Sequence, residues 1–487
     1  MLRPASPSYN PIVRLARDIR SELAARGAYP PGPTNFDLER TRRWTQDALP
    51  LVLSMYERYG SIFSMRIFHT RIVVMLGPEA NQFVTVDHPE KFSWREGNLG
   101  DLHPLLGDGL LTIDGEYHRR SRRIMLPAFR REQLSNVVHV MVEEAARAVA
   151  MFRPADRVDV YAWARKLTMR VFLRALAGLN PDEGGKGAIL AEHFERALAI
   201  YGMDVPPRLL RGPGTPWSRM MASRRVLDEI VYEEIRRRRR RPGSGKIDIL
   251  SLLVEAKDED GSTLSDEEVR DELMTLMFAG HDTSTSTIAF MLYELARNPH
   301  VLARIVDEQD RVLRGNPPTA DQIMKGELRE LEQALAETLR LYPAAWIGPR
   351  RSVEAFTFGG QPVPKDVYVY YCSWASHRLP HIFPDPDSFR PERFEPEAKK
   401  KLPPGAYVPF GGGSRTCIGM RFGQLEIQVV LTMLLQRFRM ELVPGYRLAV
   451  RQMPTLSPTH GMPMTVRPRA GTRQVTSTAA ESGALRP

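Results

Sequence analysis

From Ser265 to Asn298 the chain reads as one unbroken helix. Ser265-x-x-Glu268 has the spacing of a capping box, in which a serine hydroxyl takes the amide three residues on while the glutamate reaches back. Asn298-Pro299 ends it, because a proline pushes the preceding residue out of helical geometry. About 34 residues at 1.5 Å each span roughly 50 Å. A rod of that length crosses a whole domain. The rest of the chain must pack around it, and the expected class is mainly α.

The flanking pattern agrees. Asp114 to Asp310 is mostly helical, with breaks at Asn180-Pro181 and across the loop-like stretch MDVPPRLLRGPGTPW, 203–217. Two apolar and β-branched runs, Ser61–Arg66 and Arg71–Leu76, flank a short polar link and predict a hairpin. A second strand-rich stretch covers Phe356–Ser373, so a smaller β-rich lobe is expected beside the helices. Pro-rich loops fill Pro380–Pro404, and a last long helix is expected from about Ile418 to Arg437. Tyr29-Pro-Pro-Gly-Pro33 closes a turn-rich lead-in, 1–34. Residues 35–470 are expected to form a single domain, and 471–487 a disordered polar tail.

A hydrophobic share of 43% suits a large core, and 68 Lys and Arg against 58 Asp and Glu leave a charge of +10. That excess would suit an acidic partner, a membrane surface or nucleic acid, and alone it decides nothing. The run Arg236–Arg241 could meet nucleic acid; a solvated cationic helix end before Pro242-Gly243 is the plainer reading. Cys372 and Cys417 are the only cysteines, too few for a disulfide framework, so reducing surroundings are the default. The opening MLRPASPSYNPIVRLARDIR has no apolar signal region, and no apolar run approaches the roughly 20 residues of a membrane span. The expectation is a cytoplasmic protein without a membrane anchor.

The most informative segment is Phe410-Gly-Gly-Gly-Ser-Arg-Thr-Cys417-Ile-Gly419. Its glycines let the backbone pass close to something flat and bulky. Cys417 stands just before a helix, whose N-terminal amides favour a thiolate, and Arg415 could meet a carboxylate of the same bound group. An inert cysteine beside a flexible turn is the competing reading of the loop taken alone. A thiolate framed in this way is what a cysteine-ligated haem needs, and such a ligand favours cleavage of the O–O bond.

Phe410-x-x-Gly413-x-x-x-Cys417-x-Gly419 resembles the haem-binding signature of the cytochrome P-450 superfamily, and three further motifs follow the family's order over roughly residues 35–470. Ala279-Gly280-His281-Asp282-Thr283 resembles its oxygen-activation stretch: Ala279 and Gly280 leave one helix face nearly bare, while Thr283 and Asp282 would assist proton delivery. His281 is read as structural. Glu337-x-x-Arg340 places both side chains on one helix face. With Arg393 of Pro391-Glu-Arg393-Phe394, the resemblance implies a buried charge triad that serves fold and cofactor retention. Gly115-Glu-Tyr-His118-Arg-Arg-Ser-Arg122-Arg123 resembles the helix that reaches a haem propionate; many relatives carry Trp where His118 stands. Arg350 matches another propionate arginine, with Arg351 adjacent to it as the alternative.

The resemblance implies the P-450 fold, with haem b between the central helix and the cysteine helix and Cys417 as axial iron ligand. Phe410, Gly411, Gly419, Arg415, His118, Arg122, Arg350, Ala279 and Gly280 would line the cofactor. The implied reaction inserts one atom of O2 into an apolar molecule, by hydroxylation or epoxidation. Electrons would come from a nicotinamide nucleotide through a separate ferredoxin or flavodoxin and its reductase. That partner would dock on a cationic face carrying Arg119, Arg120, Arg123, Lys399, Lys400, Lys401 and Arg421. A peroxide-using relative and a non-catalytic haem sensor are the rival readings; the intact Asp282-Thr283 pair speaks against both. Segments expected to line the substrate space are Trp94–Leu111, Phe194–Trp217, Leu273–Thr283, Ala344–Pro349 and Leu456–Met462, which together suggest only an apolar and fairly large molecule.

Overall fold

The central helix runs Asp266–Arg297 in the computed structural model, which describes residues 11–25, 29–182, 185–203, 205–241 and 248–469. The tail 471–487 and the stop at Pro242-Gly243 lie outside the described residues. Both capping-box bonds are present: Glu268 N donates to Ser265 Oγ at 3.1 Å and Ser265 N to Glu268 Oε2 at 2.7 Å. Four helices pack around this rod: Val160–Val171, Pro216–Arg239, Arg329–Leu341 and the cysteine helix Met420–Leu435. Most of its surface from Val269 to Leu295 is consequently buried, polar residues included. A helix buried on nearly every side cannot show the usual amphipathic stripe, so its length and caps, rather than periodicity, mark it.

The β-rich lobe is a five-stranded sheet in the order Ile62–Ile67, Thr70–Met75, Tyr368–Tyr371, Gly348–Ser352, Phe92–Ser93. The expected hairpin forms its edge, with Ile67 paired to Thr70 across a two-residue turn. Tyr368–Tyr371 joins Thr70–Met75 in parallel and so ties sequence positions 296 residues apart, such as Ile72 and Tyr368, into one sheet. A second hairpin pairs Phe356–Phe358 with Gln361–Val363. A three-stranded sheet of Arg157–Asp159, Pro463–Pro468 and Phe438–Leu442 was not expected, since its first strand is too short to show alternation.

Two expectations need amending. Within the lead-in, Pro11–Ala24 is a helix docked on the sheet. The arginine run also does more than face solvent. Arg238 is buried, with Nη1 2.8 Å from Glu234 and Nη2 3.2 Å from Asp248, while Arg237 pairs with Glu234 and Arg239 with Asp266. Three of the six arginines are thus spent holding the helix end to its neighbours, which argues against a nucleic-acid surface there.

Candidate active site

The cysteine loop is shaped by its own amides and by a neighbouring turn. Cys417 N donates to Phe410 O at 2.9 Å, closing the loop before the helix that starts at Met420. Gly411 and Gly413 have φ of 69° and 58°, the left-handed region where a side chain costs energy. A Cβ on Gly413 would fall 2.2 Å from Thr85 O, and one on Gly412 2.5 Å from Thr85 Oγ1. Two of the three glycines therefore answer to the turn Phe83–Asp87 of the protein itself, not to a bound group. Gly419 differs, with nothing within 4 Å of a Cβ placed on it.

Burial pushes the Cys417 thiol above its usual range, against the pull of the Gly419 amide and of Arg122. Its side chain nevertheless faces accessible space. A thiol so placed is a poor acid by itself, and a coordinating metal ion is what would remove its proton. Cys372 is the contrast: it is fully buried, its Sγ lies 3.5 Å from Trp346 O, and burial lifts it to about 12.

Beside this loop the structure gathers cations with too few anions. Arg415 Nη2 lies 2.9 Å from Asp114 Oδ1 and 2.8 Å from Ile113 O. Arg350, buried, stacks 3.6 Å above the Trp94 ring and donates to Pro349 O. Arg122 is half-buried near Cys417. Among the described residues neither Arg350 nor Arg122 has a carboxylate within ion-pair distance. The field shows at His118, where burial, Arg415, Arg122 and Arg119 push the imidazole down to about 3, so it is neutral. Burial and the other arginines likewise lower Arg415 to about 10 despite Asp114. Buried unpaired cations are costly, so this donor set fits a ligand bringing its own carboxylates. Arg351 is spent elsewhere, 2.9 Å from Asp18 and 2.5 Å from Asp366.

On the central helix, Phe278, Ala279, Gly280 and Thr283 are partly accessible amid buried neighbours. A Cβ on Gly280 would meet nothing within 4 Å. Ala279, Thr283 and Gly280 fall within about 100° of one helix face and form a strip, while Phe278 lies at its side. Thr283 Oγ1 donates to Ala279 O at 2.6 Å, a bond back to its own helix. Leu111 and Ile347 are also partly accessible, whereas Leu273, Leu456 and Met462 of the expected lining segments are buried.

Asp282 points into a network the sequence did not show. Arg165 Nη1 lies 2.5 Å from Asp282 Oδ1, and the same guanidinium holds Glu195, which also accepts from His281 Nε2 at 2.8 Å. Burial works against the Glu195 carboxylate, but His281 and Arg165 hold it down to about 2. His281 Nδ1 lies 3.1 Å from Thr168 Oγ1, which makes it a packing residue between helices.

Glu337, Arg340 and Arg393 come together as expected. Arg340 grips Glu337 at 2.7 and 2.8 Å, and Arg393 Nε approaches the same carboxylate at 3.3 Å. Arg340 also donates to the carbonyls of His377, Pro386 and Ser388, so the pair anchors the Pro-rich loops ahead of the cysteine. The cationic face is weaker than its residue count suggests. Arg119 pairs with Glu116, Arg120 with Glu268, Arg123 with Asp258 and Lys400 with Glu397, leaving Lys399, Lys401 and Arg421 without a carboxylate partner among the described residues.

A family model described as cytochrome P-450 matches residues 30–461. The chain belongs to the cytochrome P-450 family. Cyclooctat-9-en-7-ol 5-monooxygenase of Streptomyces melanosporofaciens is 31% identical over 397 residues, covering 81% of this chain and 85% of that one. Cyclooctatin synthase of the same organism is 33% identical over 363 residues, 74% and 78% of the two chains. Among solved structures, the retinoic-acid-bound cyanobacterial CYP120A1 superposes with a TM-score of 0.80 at 28% identity, covering 91% of this chain and all of that one. This cytochrome P-450 is accordingly a haem-dependent monooxygenase that uses O2, acting on a small molecule with a redox partner. No described helix is long and apolar enough to cross a membrane.

Proposed function

We infer that this P-450 inserts one oxygen atom into a C–H bond or alkene of an apolar polycyclic or isoprenoid-like molecule, with the second atom leaving as water. The observation that carries the reading is the accessible strip Ala279, Gly280 and Thr283, with Phe278 at its side, on a largely buried helix. It offers one hydroxyl on apolar walls, which suits a substrate with few polar groups. The names of the Streptomyces relatives and the retinoic acid bound to CYP120A1 favour the same class.

Haem b, with its two carboxylates, would be held by the cations Arg122, Arg350 and Arg415 and the neutral His118, with Cys417 as the thiolate ligand of its iron and Phe410, Gly411, Ala279, Gly280 and Gly419 lining it. Such a thiolate-ligated haem would supply the chemistry that splits the O–O bond, with electrons passed to it from the redox partner. Thr283 contributes a hydroxyl that can turn from Ala279 O toward the accessible strip. Threonine in a helix populates two rotamers for this reason, and the bond given up is worth about 1 kcal/mol. Asp282 is the acid nearest in sequence, and Arg165 with Glu195 joins it to the outside. Glu337, Arg340 and Arg393 retain the cofactor by anchoring the loop; residues 35–470 act as one unit.

Electrons would arrive from a nicotinamide nucleotide through a separate ferredoxin or flavodoxin. Lys399, Lys401 and Arg421 remain as cations for its docking, so a modest fall of electron-transfer rate with salt is expected. The deciding assay combines the holoprotein, a surrogate ferredoxin and reductase, isotopically heavy dioxygen and a panel of isoprenoid alcohols and acids. One heavy oxygen in the product supports the reading. Product with hydrogen peroxide alone and none with the reductase favours the peroxide-using alternative, and no oxygen uptake at all favours a sensor.

A further inference from the structure

The helix Pro11–Ala24 spends its charged side chains on two segments of the protein. One is the strand Gly348–Ser352 with its neighbours. Asp18 lies 2.9 Å from Arg351 Nη1, and Asp366, 2.5 Å from Arg351 Nε, takes Ser21 Oγ at 2.5 Å and Arg17 Nη2 at 3.1 Å. Arg14 Nη2 donates to Tyr368 Oη at 3.3 Å, and Tyr368 is the strand partner of Arg351. The other is the loop after Phe92–Ser93, where Arg17 pairs with Glu96 and Arg14 with Asp101. Ile12, Val13, Leu15, Ile19 and Leu23 are all exposed, so burial of large apolar side chains does not place this helix. Its ion pairs do.

These two segments meet at Arg350. Arg350 precedes Arg351 in the strand, and its guanidinium lies 3.6 Å above the ring of Trp94, two residues before Glu96. The same ring lies 5.0 Å from the Arg415 guanidinium, and Trp94 N donates to Asp114, the carboxylate that pairs with Arg415. Beyond Trp94 the loop lies close on the strand: a Cβ on Gly97 would fall 3.1 Å from Arg350 Cα, and Asn98 Nδ2 donates to Tyr370 Oη at 2.8 Å. Arg17 thus reaches Arg350 through Glu96 and Trp94, and Asp18 reaches it through Arg351. With no carboxylate of its own among the described residues, Arg350 owes its place to these neighbours. The helix precedes the residues that the family model matches, 30–461, so its role is read from its own contacts.

We propose that Arg17 and Asp18 are positioning residues for the haem: by fixing Glu96 and Arg351 they hold Arg350 and Trp94 where a haem carboxylate is received, and so slow loss of the cofactor. The inference rests on the reading of Arg350 as a holder of that carboxylate. The two branches differ in exposure. Asp18 and Arg351 are 6% and 3% exposed, whereas Arg17, Glu96 and Asp366 are 37%, 35% and 38% exposed. Salt screens exposed pairs far more than buried ones, so haem loss should quicken with salt through the Arg17 branch.

The rate at which the full-length holoprotein yields haem to excess apomyoglobin tests it. Arg17→Gln/Asp18→Asn should raise that rate about fivefold, the size of effect that substitutions along a coupled chain of contacts produce. Arg17→Lys should stay near wild type, and Arg20→Gln, on the exposed side of the helix, should match it. Glu96→Gln cuts the loop branch alone, should hasten haem loss at low salt, and serves if the double variant fails to fold. The haem propionate bending bands in the resonance Raman spectrum should shift in Arg17→Gln/Asp18→Asn as they do in Arg350→Gln. Unshifted bands with a lowered urea midpoint would overturn the proposal, because the helix would then serve stability only. Unchanged haem loss in both Arg17→Gln/Asp18→Asn and Glu96→Gln, while Arg350→Gln hastens it, would overturn the proposal and leave the reading of Arg350 standing. Unchanged loss in Arg350→Gln would overturn that reading and the proposal with it.

Discussion

Arg165 Nη1 lies 2.5 Å from Asp282 Oδ1, so the carboxylate next to Thr283 in sequence is held by a cation on another helix. Asp282 is buried and Arg165 is itself tied to Glu195, which is partly exposed. Asp282 is thereby part of an ion-pair network that reaches the partly exposed Glu195, not an isolated charge.

Replacing Arg165 by Met should leave Asp282 buried without its partner. A loss of roughly 3 kcal/mol, the low end for breaking a buried pair, is expected in urea unfolding. Oxygen consumption should fall together with it, and Arg165→Lys should restore much of both. Full oxygen consumption in Arg165→Met would show that the pair is structural only.

Thr283→Ala removes a hydroxyl that, among the described residues, donates to carbonyls of its own helix, at 2.6 and 3.4 Å. Stability should change by less than about 1 kcal/mol, and haem content should hold. Product per nicotinamide oxidised should fall severalfold, with hydrogen peroxide making up the difference. Undiminished coupling would mean that the back-bond to Ala279 is the whole role of this side chain.

The two kinds of glycine should respond in opposite ways. Gly413→Ala forces a Cβ to 2.2 Å from Thr85 O at a φ of 58°, so the protein should lose stability and retain haem poorly. Gly280→Ala meets nothing within 4 Å and fills a helix position, where it should add up to about 1 kcal/mol. The added methyl stands in the accessible strip, so substrate affinity should drop while the unfolding midpoint rises. Thermal unfolding paired with ligand titration separates the two effects.

How much of this was legible beforehand depended on whether the signal was local. The caps of the central helix were readable because Ser265 and Glu268 bond across three residues, and the hairpin because its strands are adjacent in sequence. The triad and the basic cluster needed a family resemblance, since Glu337 and Arg393 meet only through folding. Arg165 had no local mark at all: a buried Asp282 demands a cation, but nothing in sequence says which of many arginines supplies it. Leu15, Ile19 and Leu23 repeat every fourth residue and mark the N-terminal helix, but the proline-rich turn after it is the stronger local signal and suggests only a turn-rich lead-in.

Glu426 sits in the cysteine helix against Ser284 of the central helix, and burial pushes its carboxyl up to about 8 despite that bond. Folded protein keeps this proton where the unfolded chain, near 4.5, has released it. Its contribution is therefore full below about 4.5 and is lost as pH rises toward about 8, by at most about 1.4 kcal/mol per pH unit. Glu426→Gln should flatten the pH dependence across that window and be relatively more stable at its alkaline end. Urea midpoints measured at both ends check it; parallel curves for the two proteins would mean that Glu426 is already ionised in the fold.

Cys417 as the axial thiolate is most directly tested by the absorption spectrum of the reduced protein under carbon monoxide. Wild type and Cys372→Ala should both show the strongly red-shifted Soret band of a thiolate-ligated haem, because Cys372 is buried against Trp346 O and takes no part. Cys417→Ala should lose that band while its far-ultraviolet circular dichroism shows the helices intact. A red-shifted band that persists in Cys417→Ala, or disappears in Cys372→Ala alone, would contradict the assignment.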